Sequence, residues 1–571
     1  MIGAGLRAET ERWIAGDPDE RDRAELRALL DDGGEAAAAD LADRFGARLE
    51  FGTAGLRGAI GAGPNRMNRA VVRAATAALA GWLAEHSRPE AARDGVVIGC
   101  DARHRSDEFA EEAARVLAGA GIRARLLPPR QPTPLLAFAV RHLRAAAGIM
   151  ITASHNPPAD NGYKLYLGDG AQIIPPVDKQ IASAIAALGE LSRVPVAPAD
   201  SALIGRLGDE VAGAYLDAIV AAVPGPAAPP GEPSGPGLRV VYTPLHGVAA
   251  GLALRAFERA GFGLPRVVAA QAEPDPAFPT VAFPNPEEPG ALDLAMAQAR
   301  ETGADLIIAN DPDGESVAVA APDAAAPGGW RALTGDQVGG LLGAYLLDRA
   351  PGPQPSARLV ATTVVSSTLL GKVAAAAGVR YAETLTGFKW IVRAADGLPG
   401  ARFVFGYEEA LGYAVTPAVR DKDGMSAALA LLSLATMARA AGQSLLDRWD
   451  ALEAAHGVHL TAQVTLPTRA PEQVMAGLRA GPPDSVAGLP VTAVTDLAAG
   501  AGGLPPSDVL TYHLSGARVV IRPSGTEPKI KAYLEVVEPV AGGSLTAARA
   551  TAAGRLAPLR DAVAALVAGS G

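Results

Sequence analysis

Cysteine is almost absent from this sequence, whose 571 residues include only Cys100. A single cysteine excludes a disulfide within the chain and a metal site built from several thiolates. Because Cys100 follows an apolar run at 96–98, we expect its thiol to be packed in the interior. Aromatic residues are also scarce, at 5%, but hydrophobic residues together make up 49%, which is ordinary for a globular protein.

Long hydrophobic runs and a surplus of positive charge are missing as well. No stretch of about 18 apolar residues is available to span a bilayer, and the segment at 1–30 lacks the apolar core of a signal peptide. The net charge of −10 argues against a general nucleic-acid-binding surface. We therefore expect a cytoplasmic protein with neither membrane nor nucleic acid as a partner. Any phosphate ligand would have to be held by a few arginine and lysine residues gathered locally.

The chain is too long for one hydrophobic core, and its length predicts roughly three to five domains. Between residues 95 and 153, apolar runs alternate with amphipathic segments in the order strand, helix, strand, helix, strand. Ser106 is expected to cap the first of these helices. The rhythm restarts near 238 and again near 334, where Thr334 and Gln337 predict a capping box. Three successive α/β units with parallel or mixed sheets are the predicted architecture.

Short strands replace this rhythm after about residue 456, with one helix among them and another at the C-terminus. The change predicts an α+β domain distinct from the first three. Proline and glycine are concentrated at 222–237, which we interpret as an exposed loop or linker inside the second unit. A shorter proline-rich stretch at 351–355 predicts a surface loop in the third unit.

A serine and a histidine follow the apolar run that ends at residue 151, in the sequence TASHNPP. Side chains at the carboxyl end of a strand lie where open α/β sheets bind ligands, which favours a functional role for Ser154 and His155. The alternative is a proline-terminated turn in which Ser154 bonds its own backbone. Lys164 places a cation nearby. A phosphorylated serine requires charge neutralisation, rather than a hydrogen-bonded base, to act as a phosphoryl donor.

Three acids occupy alternate positions in the turn NDPDGES, between two apolar strands. The carboxylates of Asp311, Asp313 and Glu315 can converge on one hard divalent cation, and Mg²⁺ prefers such oxygen ligands. The alternative is a hairpin with solvated acidic side chains. The spacing is not that of an EF-hand, which disfavours calcium.

A phosphate clamp is predicted near the C-terminus, in the sequence RPSGTEPK between two strands. Arg522 offers a bidentate guanidinium, Ser524 and Thr526 offer hydroxyls, and Gly525 allows backbone N–H groups to turn toward an anion. A proline-bounded surface turn would explain Gly525 but not the hydroxyls and cations around it.

Three further segments carry weaker signals. Glu408 and Glu409 form an acidic pair after the strand RFVF, suited to accepting hydrogen bonds from sugar hydroxyls or simply an acidic turn. Lys389 lies between two aromatic residues in TGFKW, a pattern that ordinary packing also produces. Arg57 is displayed on the glycine-rich turn GTAGLRG, and such a turn alone is weak evidence of phosphate binding.

Taken in chain order, six motifs resemble the series of the α-D-phosphohexomutase superfamily: FGTAGLRG, TASHNPPADNGYK, DPDGES, TGFKW, GYEEALGY and RPSGTEPK. They look most like its phosphoglucomutase-2 or phosphopentomutase-like branch. The resemblance implies three related α/β/α domains followed by a smaller α+β domain resembling the TATA-binding-protein fold, around a central cleft. We expect these domains at 1–205, 206–328, 329–453 and 454–571.

The resemblance also implies a role for each motif residue. It assigns catalysis to Ser154, the phosphoserine, with His155, Arg57 and Lys164; Mg²⁺ binding to Ser154, Asp311, Asp313 and Glu315; sugar binding to Thr386, Gly387, Lys389, Glu408 and Glu409; and binding of the phosphate that is not transferred to Arg522, Ser524, Gly525 and Thr526.

The activity implied is an intramolecular phosphoryl transfer that interconverts α-D-glucose 1-phosphate and glucose 6-phosphate, or the corresponding mannose or pentose phosphates. It would run through the phosphoserine and a sugar 1,6-bisphosphate, which is both intermediate and activator. The expected partner is a small phosphosugar, and the expected assembly is a monomer or weak homo-oligomer. Two alternatives stay open: a glucose-1,6-bisphosphate synthase, and a non-catalytic homologue that binds sugar phosphates.

The acidic loop departs from the superfamily pattern at its last two positions. Members usually carry aspartate and arginine there, whereas this chain has Glu315 and Ser316. Glutamate can still bind magnesium, but its extra methylene shifts the carboxylate and the arginine charge is lost, so we expect a slower reaction. Ala410 stands where many relatives outside this branch carry serine, which leaves hexose selectivity open.

Overall fold

The computed structural model describes residues 2–51, 55–86, 91–223, 237–349, 354–525 and 529–570. It divides into two compact units, Met1–Arg331 with Thr416–Leu429, and Ala332–Val415 with Ala430–Gly571. Most of the linker predicted at 222–237 and of the loop predicted at 351–355 lies outside the described residues, as does Thr526.

Three helices precede the first sheet: α1 (Ala4–Gly16), α2 (Glu20–Asp32) and α3 (Glu35–Phe45). Asp19 caps α2, because its side chain accepts a hydrogen bond from the backbone N–H of Arg21. The helices bury a small apolar core that includes Leu26 and Leu41. Most of the segment at 1–30 is therefore helical.

The first sheet has six strands: β1 (Leu56–Ala59), β2 (Val96–Cys100), β3 (Ala124–Leu126), β4 (Ala147–Ile151), β5 (Asp160–Leu167) and β6 (Ile204–Arg206). Their order is β1-β5-β4-β2-β3-β6, and five helices accompany them: α4 (Arg69–His86), α5 (Ala91–Asp94), α6 (Ser106–Gly119), α7 (Thr133–His142) and α8 (Val177–Ala187). The strands β2 and β4 are parallel and buried throughout, as expected for a sheet covered on both faces. Their carboxyl ends therefore lie side by side.

Two local expectations in this sheet have different outcomes. Cys100 is buried, and burial raises the pKa of its thiol to about 11, so the interior thiol is confirmed. The N-cap role predicted for Ser106 is wrong. The helix α6 begins at Ser106 itself, and the serine hydroxyl donates to Asp101 Oδ1 at 2.7 Å.

The second sheet has five strands in the order β11-β10-β9-β7-β8: β7 (Val240–Thr243), β8 (Arg266–Val267), β9 (Leu306–Asn310), β10 (Val317–Pro322) and β11 (Trp330–Ala332). The helices that accompany it are α9 (Glu210–Ala222), α10 (Ala250–Arg259) and α11 (Asp293–Thr302). β9 and β10 form an antiparallel hairpin in which Asn310 pairs with Val317. The acidic loop is the connection of this hairpin.

The third sheet, ordered β13-β12-β14-β15, comprises β12 (Arg358–Thr363), β13 (Arg380–Thr384), β14 (Arg402–Glu408) and β15 (Gly412–Ala414). Its segment of the chain carries α12 (Gly335–Arg349), α13 (Leu369–Ala376), α14 (Phe388–Ile391), α15 (Gly424–Ala440) and α16 (Leu445–His456). The predicted capping box of α12 is confirmed by reciprocal hydrogen bonds of 3.0 and 3.2 Å between Thr334 and Gln337.

The fourth sheet is antiparallel, with the order β16-β21-β20-β19-β18-β17. Its strands are β16 (Val458–Pro467), β17 (Ser485–Val486), β18 (Leu489–Asp496), β19 (Leu510–Leu514), β20 (Ala517–Pro523) and β21 (Lys529–Glu538), and its helices are α17 (Pro471–Ala480) and α18 (Leu545–Ala568). Leu559 and Val563 of α18 belong to the core that covers the sheet. The prediction of three α/β domains and an α+β domain is confirmed, and the domain boundaries stay predictions.

Among the described residues, no single helix has the length and apolar character to cross a bilayer. The bent pair α15 and α16, with 89° between them, meets that test together, by length and composition only.

Candidate active site

Ser154 lies in the loop after β4 and is 1% exposed. Its backbone is left-handed, with φ of 53°, a conformation that is uncommon outside glycine and mildly strained. The backbone N–H donates to Thr152 Oγ1 at 2.9 Å, and the hydroxyl donates to Asp311 Oδ2 at 2.9 Å. The fold thus brings the serine onto the acidic loop, 157 residues further along the chain, rather than leaving it in a turn bonded only to itself.

Arg103 holds the serine loop in place through hydrogen bonds, and the sequence analysis did not identify this residue. This buried side chain donates to the carbonyl oxygens of Ser154 and Asn156, both at 2.6 Å, and to two more carbonyls at 2.8 and 3.1 Å. Its Nε lies 3.4 Å from Asp101 Oδ2. A guanidinium suits this position because it is planar and carries several N–H donors. One side chain can therefore satisfy several carbonyl oxygens of the loop at once. The available signal was a charged run directly after the buried strand β2.

The three acids of the β9–β10 loop are all buried, with exposures of 0% for Asp311, 0% for Asp313 and 2% for Glu315. One oxygen from each lies within 4.8 Å of the others. The solvated acidic hairpin is therefore excluded. Gly314 has φ of 69°, which permits the tight turn that makes the side chains converge.

Two lysines face this cluster. Lys164 Nζ, on β5, lies 2.9 Å from Asp313 Oδ2 and 2.8 Å from Glu315 Oε2. Lys422 Nζ, from the segment that precedes α15, lies 3.3 Å from Glu315 Oε1. Sequence reasoning missed Lys422, although its charged run RDKDG before an apolar helix was a usable signal.

The pKa values of the acids in this cluster are shifted in different directions. Burial, together with the charges of Asp313 and Glu315, raises the pKa of Asp311 well above its usual value. Burial also acts to raise the pKa of Asp313, but the Lys164 ammonium and the hydrogen bond from Thr133 outweigh it and the pKa lies below its usual range. Asp311 is thus the acid whose ionised form the neighbouring negative charges oppose, whereas the ionised form of Asp313 is stabilised by a cation.

The cluster fits a hard divalent cation. Asp313 Oδ1 is buried and has no hydrogen-bond partner in the described part of the chain, a costly state that a metal ion would relieve. Carboxylate oxygens converging from one tight loop are the donor set that Mg²⁺ prefers, with positions left for phosphate oxygens. The residues present therefore match the predicted magnesium site.

Arg57 and His155 lie beside the serine loop. Arg57, on β1, donates to Asn156 Oδ1 at 3.1 Å, and its Nε is buried without a hydrogen-bond partner among the described residues. Burial, helped by the Arg57 charge, lowers the pKa of His155 to about 4. The imidazole is therefore neutral near pH 7.

The predicted sugar-binding residues lie in the second unit. Glu408 ends β14 and Glu409 begins the turn to β15. Glu409 Oε2 accepts hydrogen bonds from Ser366 Oγ at 2.8 Å and Thr363 Oγ1 at 3.3 Å. Next to the strand β13, Thr386 and Gly387 lead into α14, on which Lys389 is 8% exposed.

The predicted phosphate clamp begins at the end of β20. Arg522 Nη1 donates to Tyr533 Oη at 3.5 Å, and the Ser524 N–H donates to the Lys529 carbonyl at 2.8 Å. Burial and then the charge of Glu409 raise the pKa of Tyr533, whereas Arg522 lowers it. Gly525 follows Ser524, and the hydroxyl of Thr526 lies outside the described residues.

Four family models match the chain in succession. They describe Phosphoglucomutase/phosphomannomutase alpha/beta/alpha domain I at 48–191, domain II at 214–324 and domain III at 334–453, and the C-terminal domain at 478–552. Every motif used above, from Arg57 to the clamp, falls inside one of these ranges.

Relatives match over most of their own length. A "Probable phosphomannomutase" of Haemophilus influenzae is 42% identical over 479 residues, which covers 82% of this chain and 93% of the relative. A "Phosphopentomutase" of Homo sapiens is 34% identical over 575 residues, covering 94% and 92%. A crystal structure of a phosphoglucomutase/phosphomannomutase family protein of Burkholderia thailandensis superposes with a TM-score of 0.67 at 21% identity, covering 91% of this chain and 98% of that one. At that identity the last likeness shows the fold alone.

Proposed function

The chain belongs to the phosphoglucomutase/phosphomannomutase family and is a phosphosugar mutase, and we propose from this premise that it interconverts α-D-glucose 1-phosphate and glucose 6-phosphate. The names of its relatives divide between hexose and pentose phosphates, so mannose and pentose phosphates are further candidate substrates. The observation that carries the proposal is the 2.9 Å hydrogen bond from Ser154 to Asp311. It sets a candidate phosphoryl carrier directly on the acidic triad.

Phosphorylated Ser154 is the proposed donor. The bond between phosphorus and Ser154 Oγ breaks, a bond to the free sugar hydroxyl forms, and the hydroxyl proton leaves while the seryl oxygen takes up a proton. The product is a sugar 1,6-bisphosphate. The reverse transfer, from the other phosphate of the bisphosphate to Ser154, releases the isomer and restores the phosphoserine.

Each group around the serine has a proposed part in this transfer. Asp311, Asp313 and Glu315 would hold Mg²⁺, which when bound neutralises charge on the phosphoryl group. Lys164 is a buried cation already paired with two of these acids, and Arg57 reaches the serine loop through Asn156. We assign both to the proton-transfer steps, with His155 as a neutral neighbour.

The second unit supplies recognition in this proposal. Glu408 and Glu409 accept hydrogen bonds from sugar hydroxyls, and Lys389 lies in the same sugar-binding region with Thr386 and Gly387. Arg522 binds the phosphate that is not being transferred, helped by Ser524, Gly525 and Thr526. Charge-assisted hydrogen bonds of this kind are about twice as strong as neutral ones.

The test is Ser154→Ala beside the control Ser183→Ala, an exposed serine on α8. Each protein is given a panel of hexose and pentose 1-phosphates, followed by phosphorus NMR, with intact mass measured before and after. We expect Ser154→Ala to lose nearly all turnover and the +80 Da phosphate mass, on the order of the loss seen when a covalent nucleophile is removed, while the control keeps both. A phosphopeptide that placed the phosphate on another residue would refute the assignment.

The same experiment distinguishes the alternative activity. Bisphosphate accumulating as the end product would indicate a synthase instead of a mutase.

A further inference from the structure

A hydroxyl-rich loop begins at the last residue of β12 in the second unit and leads into α13. We name residues 363–368 the link loop. Four of its six side chains carry hydroxyl groups, and all of them bond outside or across the loop: Thr363, Ser366, Ser367 and Thr368. The link loop has two separate sets of hydrogen-bond partners, one that includes Glu409 and one that includes Glu535.

On one side the link loop holds Glu409. Ser366 Oγ donates to Glu409 Oε2 at 2.8 Å, and Thr363 Oγ1 reaches the same oxygen at 3.3 Å. The backbone of Glu409 is confined as well, because a Cβ built on Gly335 would lie 1.8 Å from the Glu409 carbonyl oxygen. Glu409 is thus held at its side chain and its main chain, immediately after Glu408.

On the other side the link loop is held by β20 and β21. Glu535 Oε1 accepts hydrogen bonds from Ser367 Oγ at 2.7 Å and from the Thr368 N–H at 2.9 Å. Arg518 donates to the carbonyl oxygens of Ser366 and Val364. Arg518 and Glu535 lie directly opposite each other in the ladder, with Arg518 Nε donating to Glu535 Oε2 at 2.9 Å.

This attachment is buried and charged. Glu535 is 3% exposed. Burial acts to raise the pKa of its carboxyl group, but the hydrogen bond from His459 and the charge of Arg518 outweigh this effect and lower the pKa to about 2. The carboxylate therefore stays ionised, and removing its charge would leave buried donors without a strong acceptor. Val364 and Tyr533 pack in one apolar cluster beside it.

The strand β20, which bonds to the link loop through Arg518, also carries Arg522, the predicted phosphate ligand. The two arginines are four residues apart on this strand. We propose that the link loop sets the position of Glu409, and through it of Glu408, relative to Arg522, which makes Ser366 and Glu535 positioning residues for the sugar end of the substrate. This inference rests on the proposed function, in which Glu408 and Glu409 contact sugar hydroxyls.

The first experiment compares Glu535→Gln with Glu538→Gln in the full-length protein by amide hydrogen exchange. Glu538 is on the same strand but pairs with Arg555 at 2.9 Å, away from the link loop. We expect exchange at 406–411 to accelerate by at least about fivefold in Glu535→Gln and to be unchanged in Glu538→Gln. Equal exchange at 406–411 in the two variants and the parent would overturn the proposal, whatever the protein's substrate.

The second experiment is kinetic and uses Ser366→Ala, with Ser366→Thr as the variant that keeps the hydroxyl. For glucose 1-phosphate we expect Ser366→Ala to raise KM roughly tenfold with kcat changed less, as for one lost hydrogen bond to a charged group, and Ser366→Thr to restore it. The inhibition constant of inorganic phosphate, which needs only the clamp, should stay within about twofold. A parallel rise in that constant would locate the damage in the clamp and contradict the proposal.

The two experiments separate this inference from the proposed function. If Ser154→Ala retains turnover, the proposed phosphoserine fails, yet the exchange comparison still supports or overturns the link loop. If the exchange effect is present and KM for every sugar phosphate is unchanged in Ser366→Ala, Glu409 does not position the sugar, and the inference fails while the mutase activity stands.

Discussion

Ser154 illustrates how individual residues prepare this site before any substrate binds. Its left-handed backbone and its 1% exposure are maintained by Arg103, which bonds four carbonyl oxygens around it. Strain at one residue persists only where its surroundings over-determine the conformation. The hydroxyl therefore points to Asp311 and not to solvent.

Arg522 gives the first prediction at the residue scale. In Arg522→Ala we expect KM for the sugar phosphate to rise by about tenfold to 150-fold, because a charge-assisted pair of roughly 1.5–3 kcal/mol is lost, with a smaller change in kcat. Steady-state kinetics measure both constants. Arg560→Ala, an exposed arginine on α18, is the control, and a KM equal to that of the parent would rule out the clamp.

The second residue-scale prediction concerns the unusual end of the acidic loop. The sequence pattern suggested that Glu315 and Ser316 slow the enzyme, so that restoring aspartate and arginine would raise kcat. The packing gives a reason to expect the opposite. Glu315 spans from Lys164 to Lys422, and Ser316 is 3% exposed, with its carbonyl 2.6 Å from the position of a Cβ built on Gly424.

We therefore expect Glu315→Asp with Ser316→Arg to lower the free energy of unfolding by about 1–3 kcal/mol, as overpacking in a filled interior does, and not to raise kcat. Urea denaturation and saturating kinetics with Mg²⁺ measure these effects. Glu315→Asp alone is the matched comparison, since it adds no volume. A tenfold rise in kcat, about 1.4 kcal/mol off the barrier, would show instead that the loop limits the reaction.

At the element scale, the β9–β10 hairpin presents its acids in the right place because other segments pack against its turn. The loop after β7 is one such segment: the Val248 N–H donates to the Pro312 carbonyl at 2.8 Å. Gly247 lies so close that a Cβ built on it would be 2.4 Å from Pro312 Cα and 2.5 Å from Pro312 O. A side chain at position 247 must displace the acidic loop.

Gly247→Ala is therefore expected to reduce kcat by about a hundredfold, the size of effect that small displacements of catalytic groups produce, and to destabilise the first unit. Gly251→Ala is the matched control, because Gly251 lies on α10 with nothing within 4 Å of an added Cβ. The control should be as stable as the parent or slightly more so, since alanine favours helix over glycine by about 1 kcal/mol. Activity and denaturation of the two variants are compared directly, and equal activities would contradict the packing argument.

At the scale of the whole molecule, the acidic loop is surrounded by parts of the chain that are distant in sequence but belong to the first unit. The N-terminal helices, the two α/β sheets of the first unit and the segment Thr416–Leu429 all belong to one compact unit, and the residues that meet at the acidic loop come from three of these four parts. Ligand binding to such a site stabilises the fold that assembles it.

Magnesium at about a hundred times its dissociation constant is expected to stabilise the folded protein by roughly 2.7 kcal/mol. The melting temperature, measured at constant ionic strength, should rise accordingly. Asp313→Asn should lose most of this shift. Asp323→Asn, at the far end of the same hairpin where Asp323 accepts a hydrogen bond from Ala325, should keep it. Differential scanning calorimetry with Mg²⁺ and without it makes the comparison, and equal shifts in the two variants would place the ion elsewhere.

The sequence by itself determined the order of the elements and the identity of most candidate site residues. Apolar runs of strand length alternating with amphipathic segments predict α/β units, since period and burial are local properties. Ser154 and the acids of the β9–β10 loop could be selected because they directly follow buried strands, where open α/β sheets bind ligands, and because their motifs resemble those of the superfamily. Parallel strands also bring their carboxyl ends to one edge.

Only the tertiary structure decided which of these residues meet and what holds them. The contact of Ser154 with Asp311 joins positions 157 residues apart, and the carbonyl bonds of Arg103 and the approach of Lys422 to Glu315 depend on loops that no periodic pattern describes. Loop conformation follows from packing at single points such as Gly247 against Pro312. The physical reason is that hydrophobic periodicity encodes which face of an element is buried, whereas the position of a loop side chain is set by the shape and charge of distant segments folded against it.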